Sequence, residues 1–378
     1  MKKLRVLVLG AGFGGLEMAA TLSERIGDRL DLTLIDKNDS FYFGYSKLDV
    51  MFGRRSAKSV MHAYGKIRLS GVKFRRETIT SLDPLRKKVT TREGSYEADV
   101  MVVALGADYD IEATPGLSEA GQEFYSFEGA ERVRDILPKF QKGHVIVGVC
   151  SFPFKCPPAP SETALLLHEY LVRHGVRKHC EISLVVPFEL PIPPSYGTSK
   201  ALLKSFKEKE IHYLPEMMVG SLDPSRKIAE LDDGREMPFD LFLGIPEHRV
   251  PAVVEESGLV FSEWIPVDPH SMQTSYPQVY ALGDVASAGV PKSGHFAASA
   301  ARSAAESILA EFQGHEFTGG FNGRGHCHVE FGGGKVARAD VDFFSEPYAT
   351  GIHHSASQVL SEEKRNLEQH CKARWFGK

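Results

Sequence analysis

Residues 4–15 read LRVLVLGAGFGG, a largely apolar run that leads into a loop rich in glycine. The loop has the spacing G-x-G-x-x-G, made by Gly10, Gly12 and Gly15 with Phe13 and Gly14 between them. In this spacing the first glycine allows a tight turn, the second lets the backbone approach a pyrophosphate, and the third lets the following helix pack on the strand. The stretch therefore predicts a strand, a phosphate-binding turn and a helix that open a parallel α/β unit.

The second strand expected of such a unit has an acidic residue at its end. Residues 30–35 have a strand pattern and are followed by Asp36, which lies 21 residues after Gly15. A carboxylate at this distance holds a ribose hydroxyl in dinucleotide-binding units. Strand, loop, helix, strand and acid together predict an adenine-dinucleotide site, in which we also place the neighbouring Lys37.

Two later turns carry small residues where a cofactor could approach the backbone. A buried strand pattern ends in ALGA at residues 104–107, and a short strand pattern ends in ALGD at residues 281–284. Small residues let the chain pass close to a ligand, and the carboxylate of Asp284 can accept hydrogen bonds from ribityl hydroxyls. The residues assigned to the cofactor site from these turns are Ala104, Gly106, Gly283 and Asp284.

The middle of the chain repeats the order of strands and helices seen in the first unit, but no glycine fingerprint follows the strand pattern at residues 145–147. The prediction is an α/β fold with two Rossmann-like dinucleotide-binding domains, the second of them degenerate, plus a C-terminal interface region. We divide the chain into a first domain of residues 1–112 and 251–315, a second of residues 113–250 and a C-terminal region of residues 316–378.

Three segments have patterns that are less decisive. Residues 72–79 and 88–91 are predicted to form the strands of a hairpin. The aromatic-rich residues 38–55 form either a packed loop or a wall along an extended cofactor. Residues 361–378 have a helix pattern with Leu367, Cys371 and Trp375 at four-residue spacing. This helix docks on the protein's own body or on a dimer partner, or it anchors the protein to a membrane surface.

Composition excludes several classes of protein. A chain of 378 residues with 42% hydrophobic residues is expected to form two or three globular domains, and its net charge of −4 predicts no nucleic-acid partner. The start at Met1-Lys2-Lys3 runs directly into a strand, which predicts no signal peptide and a cytoplasmic protein. Five cysteines are odd in number and too sparse for a disulfide framework, and no metal site is assigned.

The turn after the strand at residues 145–147 has an unusual composition. Residues 152–162 read FPFKCPPAPSE, in which three prolines follow Cys156 and an aromatic residue stands on each side of Pro153. Proline has no N–H to offer and fixes its φ angle, so this loop is stiff and unsuited to phosphate. It can hold one thiol in a fixed position. A second cysteine, Cys327, lies between His326 and His328 in a glycine-rich segment.

The glycine loop with Asp36 and the two ALG turns resemble, in order and spacing, the two-dinucleotide-domain flavoproteins of the pyridine-nucleotide-disulfide-reductase-like superfamily. Within it, FKCPPAPSE looks like the sulfide:quinone oxidoreductases and the flavoprotein subunit of flavocytochrome c sulfide dehydrogenases. The resemblance implies FAD along the first unit and a redox pair formed by Cys156 and Cys327. Gly44 stands where some members attach flavin through a cysteine, which implies non-covalent FAD.

The resemblance also implies the reaction. Sulfide, largely HS⁻ at neutral pH, would attack a Cys156–Cys327 disulfide and form a persulfide, and electrons would pass through FAD to a quinone or a c-type cytochrome. Glu162 is expected either to act as a base or to polarise the incoming sulfide. Peripheral contact with the inner face of the cell membrane and a homodimer are left open. Nearby candidates to stabilise a thiolate, with no role assigned, are Lys155, Lys292, His295, His326 and His328.

Two alternatives use the same cofactor. A type II NADH:quinone oxidoreductase would need a glycine-rich loop in the second domain, and residues 148–153 read GVCSFP instead. A redox-sensing flavoprotein would use its cysteines without turnover and consume about one equivalent of substrate per flavin. Cys150, Cys180 and Cys371 are interpreted as structural, with Cys150 as the foremost exception because it lies six positions before Cys156.

Overall fold

The computed structural model describes residues 3–377, and its first domain is built on a parallel sheet around the first strand of the chain. Leu4–Leu9 pairs with Leu30–Asp36 on one side and with Val100–Val103 on the other. The carboxyl ends of these strands therefore meet at the edge where the glycine loop begins. In order across the sheet, the five strands are Val279–Ala281, Val100–Val103, Leu4–Leu9, Leu30–Asp36 and Val72–Arg76.

The predicted hairpin of residues 72–79 with 88–91 is wrong in its first strand. Val72–Arg76 lies parallel to Leu30–Asp36 as the edge strand of the first sheet. The alternation of Val72 and Phe74 with basic residues fits an edge strand as well as it fits a hairpin, and only the pairing distinguishes the two. The antiparallel sheet begins later and comprises Ile79–Asp83, Lys88–Thr91 and Ser95–Glu97.

The second domain repeats the arrangement of the first, which confirms the predicted fold class. Its central strand Gly143–Val149 pairs in parallel with Cys180–Val185 and Leu241–Ile245, as Leu4–Leu9 does with its two neighbours. The strands run across this sheet in the order Gly121–Glu123, Leu241–Ile245, Gly143–Val149, Cys180–Val185 and Ile211–Leu214. An antiparallel sheet of Val219–Asp223, Ile228–Leu231 and Glu236–Pro238 covers it.

The two segments in which the chain passes from one domain to the other lie side by side. Asp108–Asp110 and Glu247–Arg249 pair as antiparallel strands, and Arg249 forms an ion pair with Asp110 at 2.6 Å. The divisions that we place after residues 112 and 250 fall next to these strands and remain our proposal for the domain boundaries. Two further pairs of short strands are Ser40–Phe41 with His62–Ala63 and Ile265–Pro266 with Ala286–Ser287.

The C-terminal region begins with an antiparallel sheet that we did not predict. Its strands are Arg324–Gly332, Lys335–Asp342 and Thr350–Ser357. Residues 335–342 read KVARADVD, and the alternation of small apolar and charged residues from Ala337 onward is the signal that predicts such a strand. The last strand leads directly into the helix Gln358–Phe376, because the Ser357 hydroxyl accepts a hydrogen bond from the backbone N–H of Leu360 and caps it.

Helices cover both parallel sheets and close the first domain. The helix Phe13–Ile26, which follows the glycine loop, packs against Gly294–Gln313 and contributes Leu16, Ala19 and Leu22 to the first core. None of the helices within residues 3–377 is both long and apolar enough to cross a membrane. The other helices are Ser46–Met51, Ala57–Val60, Leu117–Ala120, Phe127–Ile136, Ala159–Arg173, Tyr196–Glu208 and Ala252–Glu255.

Candidate active site

One large cavity connects the first domain, the proline-rich loop and the C-terminal region. It has a volume of about 1160 Å³ and extends from the glycine loop and Asp36 to Cys156, Cys327 and the C-terminal helix. A space of this size is sufficient for a large ligand. All of the predicted site residues except Gly15 line this cavity.

The glycine loop has the close backbone approaches that its spacing predicts. Gly10 has a φ of +98°, and a Cβ there would lie 2.3 Å from the carbonyl oxygen of Ala104. A Cβ on Gly15 would lie 1.9 Å from the oxygen of Gly10, so Gly15 lets the helix pack on the strand and does not face the cavity. A Cβ on Gly12 would meet nothing within 4 Å, which leaves the backbone there accessible to a phosphate.

Two aspartates stand at the ends of the strands that face the cavity. The Asp36 carboxylate accepts hydrogen bonds from the backbone N–H of Ala11 and of Asn38, both at 2.8 Å. Asp284 follows the edge strand and lies 3.9 Å from the ammonium group of Lys155. The Lys292 ammonium group donates to the backbone carbonyl of Asp284. Both carboxylates are therefore held in place at the cavity wall.

Cys156 and Cys327 come from different domains and reach the same cavity. Cys156 has the left-handed φ of +54°, its N–H donates to the Lys292 carbonyl at 2.8 Å, and its carbonyl accepts from Ala159 at 2.8 Å. These bonds fix the thiol just before the helix Ala159–Arg173. A hydrogen bond connects this helix to the strand Arg324–Gly332, which carries Cys327: the Glu162 carboxylate accepts it from the backbone N–H of Glu330 at 3.0 Å.

Burial makes both thiols and Glu162 weaker acids than in water. It raises the pKa of Cys327 to about 12, with a further contribution from the charge of Glu162. Burial also raises the pKa of Cys156, together with the negative charges of Glu162 and Cys327. Burial raises the pKa of Glu162 to about 6, so this carboxyl is mostly ionised at pH 7 and titrates within reach of neutral pH.

The cations that act on Cys156 are two lysines that we did not predict. Lys364 and Lys47 line the cavity and oppose the rise in the pKa of Cys156. Lys364 belongs to the C-terminal helix, and its ammonium group donates to Glu330 at 2.7 Å. The sequence does contain a signal for Lys364, since it lies three residues before Leu367 on the face that was predicted from the four-residue spacing.

The histidines and lysines that were predicted near the thiols occupy two other parts of the wall. Lys155 donates to the carbonyl of Ala107 at 2.6 Å, and the Lys292 ammonium lies 3.2 Å from the ring centre of Trp264. Burial lowers the pKa of Lys155 and lowers that of Lys292 to about 8. The rings of His295, His326 and His328 form a separate cluster on the C-terminal side of the cavity.

The C-terminal helix docks on the protein's own first domain. Trp375 is fully buried, its ring lies edge-on to Phe13 with the ring centres 5.7 Å apart, and its N–H donates to Glu17 at 2.6 Å. Arg374 binds the same carboxylate. Of the alternatives left open for this helix, the structure therefore supports docking on the body of the chain. Phe41 and Phe43 pack against Trp375 and also line the cavity.

The three remaining cysteines differ in their surroundings. Cys150 packs against the core of the second domain and Cys180 is buried at the start of one of its strands, and neither lines the cavity. Cys371, which we interpreted as structural, lies in the cavity wall on the same helix face as Lys364. Burial raises the pKa of the Cys371 thiol to about 11. It is therefore expected to be protonated at neutral pH.

Two Rossmann-like domains around a cavity with two cysteines define a class of dinucleotide-dependent oxidoreductases. The chain matches the family described as "Pyridine nucleotide-disulphide oxidoreductase" over residues 4–304, and it belongs to this family. Membership implies a flavin cofactor, and the predicted superfamily is confirmed.

Among the relatives, a mitochondrial sulfide:quinone oxidoreductase of Schizosaccharomyces pombe is 28% identical over 297 residues, which cover 73% of this chain and 63% of the relative. The chain thus spans less than two thirds of that protein's length. Its mouse counterpart is 24% identical over 374 residues, with 91% and 79% covered. The crystal structure of the Aquifex aeolicus sulfide:quinone oxidoreductase has a TM-score of 0.86 at 22% identity, covering 97% of this chain and 90% of that chain, which shows a shared fold.

Proposed function

We propose that the protein is an FAD-dependent sulfide oxidoreductase that delivers electrons to a quinone. The observation that carries this proposal is that Cys156, Cys327 and Glu162 share the wall of the cavity that begins at the glycine loop. The names of the S. pombe and mouse relatives support it. A c-type cytochrome as acceptor, a homodimer, a contact with a membrane surface and a cytoplasmic location stay predictions from the sequence.

The residues of the cavity fit a non-covalently bound FAD. The accessible backbone at Gly12 suits a pyrophosphate, Asp36 a ribose and Asp284 the ribityl chain. The buried hydroxyl groups of Tyr45 and Tyr125 have no hydrogen-bond partner within residues 3–377, and both residues line the cavity. Such unpartnered groups are available to a bound ligand. FAD, when bound there, supplies a two-electron acceptor beside the cysteines.

The cysteines supply the chemistry with sulfide. Both are free thiols in this structure, and their reactive form is the disulfide. HS⁻ attacks one sulfur of that disulfide, the S–S bond breaks, and the attacked cysteine becomes a persulfide. The other cysteine leaves as a thiolate with the electron pair of the broken bond. Cys156 is the cysteine suited to leave as the thiolate, because the positive charges of Lys364 and Lys47 oppose the effect of burial on its pKa.

Glu162 acts as the base for the proton that HS⁻ brings in, which stays on the terminal sulfur of the persulfide after the attack. One carboxylate oxygen accepts the hydrogen bond from Glu330, which leaves the other to take a proton. Because its pKa is raised to about 6, Glu162 is a stronger base than an ordinary glutamate yet mostly ionised at pH 7. Its negative charge also disfavours a thiolate, so proton transfer to Glu162 and formation of the thiolate favour each other.

The test is anaerobic reduction of the flavin by sulfide. We expect stoichiometric sulfide to bleach the flavin absorbance, and Cys156→Ser and Cys327→Ser to abolish the bleaching. Cys150→Ala is the matched control, since this cysteine lies outside the cavity wall, and it should retain the wild-type rate. Loss of bleaching in the control, or its persistence in both serine variants, would contradict the proposed disulfide.

The same experiment separates the two alternatives. Rapid bleaching by NADH together with indifference to sulfide would identify an NADH:quinone oxidoreductase. Consumption of only about one equivalent of sulfide per flavin, with quinone present in excess, would identify a redox sensor. Sustained turnover with sulfide and quinone, and slow reduction by NADH, is the result that we expect.

A further inference from the structure

A cluster of three histidines lines the cavity and has no part in the chemistry described above. His295 lies at the start of the helix Gly294–Gln313, and His326 and His328 flank Cys327 on its strand. The ring centres of His295 and His326 are 4.3 Å apart, and those of His326 and His328 are 5.2 Å apart. Within residues 3–377 no group of three or more histidine, cysteine and acidic side chains is arranged to hold a metal ion.

His328 connects the cavity to the outside of the protein. Its side chain is only 7% exposed, and its Nε2 is hydrogen-bonded to a carboxylate oxygen of Glu363 at 3.1 Å. The Glu363 side chain is 39% exposed. Arg338 lies opposite His328 in the sheet and binds the same carboxylate at 2.8 Å, which fixes its position. A single buried imidazole therefore separates the cavity from a carboxylate in contact with solvent.

The hydrogen bond to Glu363 assigns the tautomer of His328. Burial and the neighbouring His326 together lower the pKa of His328 to about 4, so the ring is neutral at pH 7. A neutral imidazole that faces a carboxylate carries its proton on Nε2, and Nδ1 is then an acceptor. Nδ1 has no hydrogen-bond partner in the described part of the chain, while the residue itself lines the cavity.

The charges around His328 suit a group that passes a proton without keeping it. Glu363 favours a protonated ring, whereas Lys364 and His326 disfavour it. Arg338 neutralises Glu363, and it also binds Asp340, which in turn pairs with His354. The cationic form of His328 is therefore a short-lived state between two neutral ones.

We propose that His328 and Glu363 form the proton outlet of the cavity, an inference that rests on the proposed function. HS⁻ brings in one proton, which remains on the terminal sulfur of the persulfide after the attack. The S–H bond breaks when Glu162 takes this proton. Nδ1 of His328 then receives the proton from the cavity, which returns Glu162 to its ionised form, and the Nε2 proton passes to Glu363 and then to solvent. No electrons move in this step. When the quinone takes up protons, one that travels inward by the same route restores the starting tautomer.

The test uses the complete FAD-loaded protein in steady-state turnover with sulfide and a soluble quinone. We expect His328→Gln and Glu363→Gln each to lower kcat about ten-fold or more and to leave the KM for sulfide within about two-fold. Free imidazole in the buffer should restore part of the kcat of His328→Gln, because it can carry the proton that glutamine cannot. A residue with a structural role alone would not give this rescue.

His354→Gln is the matched control, since His354 pairs with Asp340 at 2.7 Å in the same sheet but does not line the cavity. It should keep the wild-type kcat. Unchanged kcat in both His328→Gln and Glu363→Gln, or a decrease in the kcat of His328→Gln that imidazole does not reverse, would contradict the proposed proton outlet. If His328→Gln does not fold, the kcat of Glu363→Gln tests the proposal. Failure of the proposed function is distinguishable, because the wild-type protein itself would then not turn over sulfide.

Discussion

Glu162 and the two cavity cysteines hold their protons more tightly than they would in water, because burial disfavours their charged forms. A free thiolate is therefore costly at Cys156 and at Cys327, and at Cys156 the charges of Lys364 and Lys47 offset part of this cost. For Glu162 it brings the pKa to about 6, close enough to neutrality for proton exchange in both directions. The acidity of single residues is thus matched to the proposed transfer of a proton from the persulfide to a carboxyl group.

The role of Glu162 predicts a specific pH dependence. The ratio of the wild-type rate constant for flavin reduction by sulfide to that of Glu162→Gln should rise about ten-fold as the pH passes upward through about 6, because only the ionised carboxylate acts as a base. The ratio cancels the ionisation of sulfide itself. Glu169→Gln is the control: Glu169 lies on the same helix and accepts a similar hydrogen bond from Gly333, outside the cavity wall. A ratio that does not vary with pH would exclude Glu162 as the base.

Among the elements, the C-terminal helix has the greatest influence on the site. One face of it carries Lys364, Leu367, Cys371 and Trp375 into the cavity wall. The end of the helix is held by Glu17, a buried carboxylate on the helix that follows the glycine loop, which binds Arg302, Arg374 and the Trp375 N–H. The last element of the chain therefore completes a site that the first element begins.

Removal of the Trp375 side chain should lower the stability of the fold and weaken the binding of the flavin. We expect Trp375→Ala to lower the free energy of unfolding by about 3–5 kcal/mol, because a fully buried indole leaves a cavity beside Phe13 and Phe43. The flavin should also be released faster on dilution, since Phe13 belongs to the glycine loop. Chemical unfolding and flavin fluorescence measure the two effects.

Trp375→Phe separates packing from hydrogen bonding in this test. It keeps an aromatic ring but removes the bond to Glu17 and part of the ring volume, so its cost should be about 1–3 kcal/mol, less than that of the alanine variant. An alanine variant as stable as the wild type would show that docking of the C-terminal helix contributes nothing to the fold.

At the scale of the whole molecule, one buried network of charges joins the first domain to the C-terminal region. Glu330 lies on the strand of Cys327 and pairs with Lys364 from the C-terminal helix and with Arg54 from the first domain. Arg54 also pairs with Asp49 at 2.7 Å. Burial alone would raise the pKa of Glu330, but Lys364 and Arg54 outweigh it and lower the pKa to about 2.

This network predicts how the protein responds to acid. Because the folded-state pKa of Glu330 lies below the value of about 4.3 in an unfolded chain, its charge stabilises the fold above that pH, and this contribution is lost as the pH falls toward 2. Lys364→Met should raise the midpoint pH of acid unfolding. It should also lower the free energy of unfolding at pH 7 by about 3–5 kcal/mol, because buried negative charge loses a partner.

Urea unfolding over a series of pH values measures both effects of Lys364→Met. Lys204→Met is the control, since Lys204 forms an exposed pair with Glu208 at 3.8 Å and should change the stability by less than about 1 kcal/mol. If the two variants unfolded at the same pH in acid, the buried network would have no part in holding the regions together.

Local patterns in the sequence determined the glycine loop, the fold class and the stiff loop that carries Cys156, whereas Cys327 was assigned to the site only through the family resemblance. The glycine loop could be predicted because its requirements are local: Gly10 must adopt a positive φ, and Gly15 must bring its helix within contact of the strand. The prolines around Cys156 likewise restrict the backbone without help from distant residues.

Pairing between distant segments was decided only by the tertiary structure. Val72–Arg76 became a parallel edge strand, and the terminal helix docked on its own chain, because each buries apolar side chains against residues far away in sequence. The charges around the cysteines depend on the same pairing, which brings Lys47 and Lys364 to one cavity across more than three hundred residues. The burial of a side chain and the electrostatic effect on its pKa depend on all the residues that surround it in the folded protein. Local sequence patterns can identify the residues of a site, but they do not determine which residues surround them.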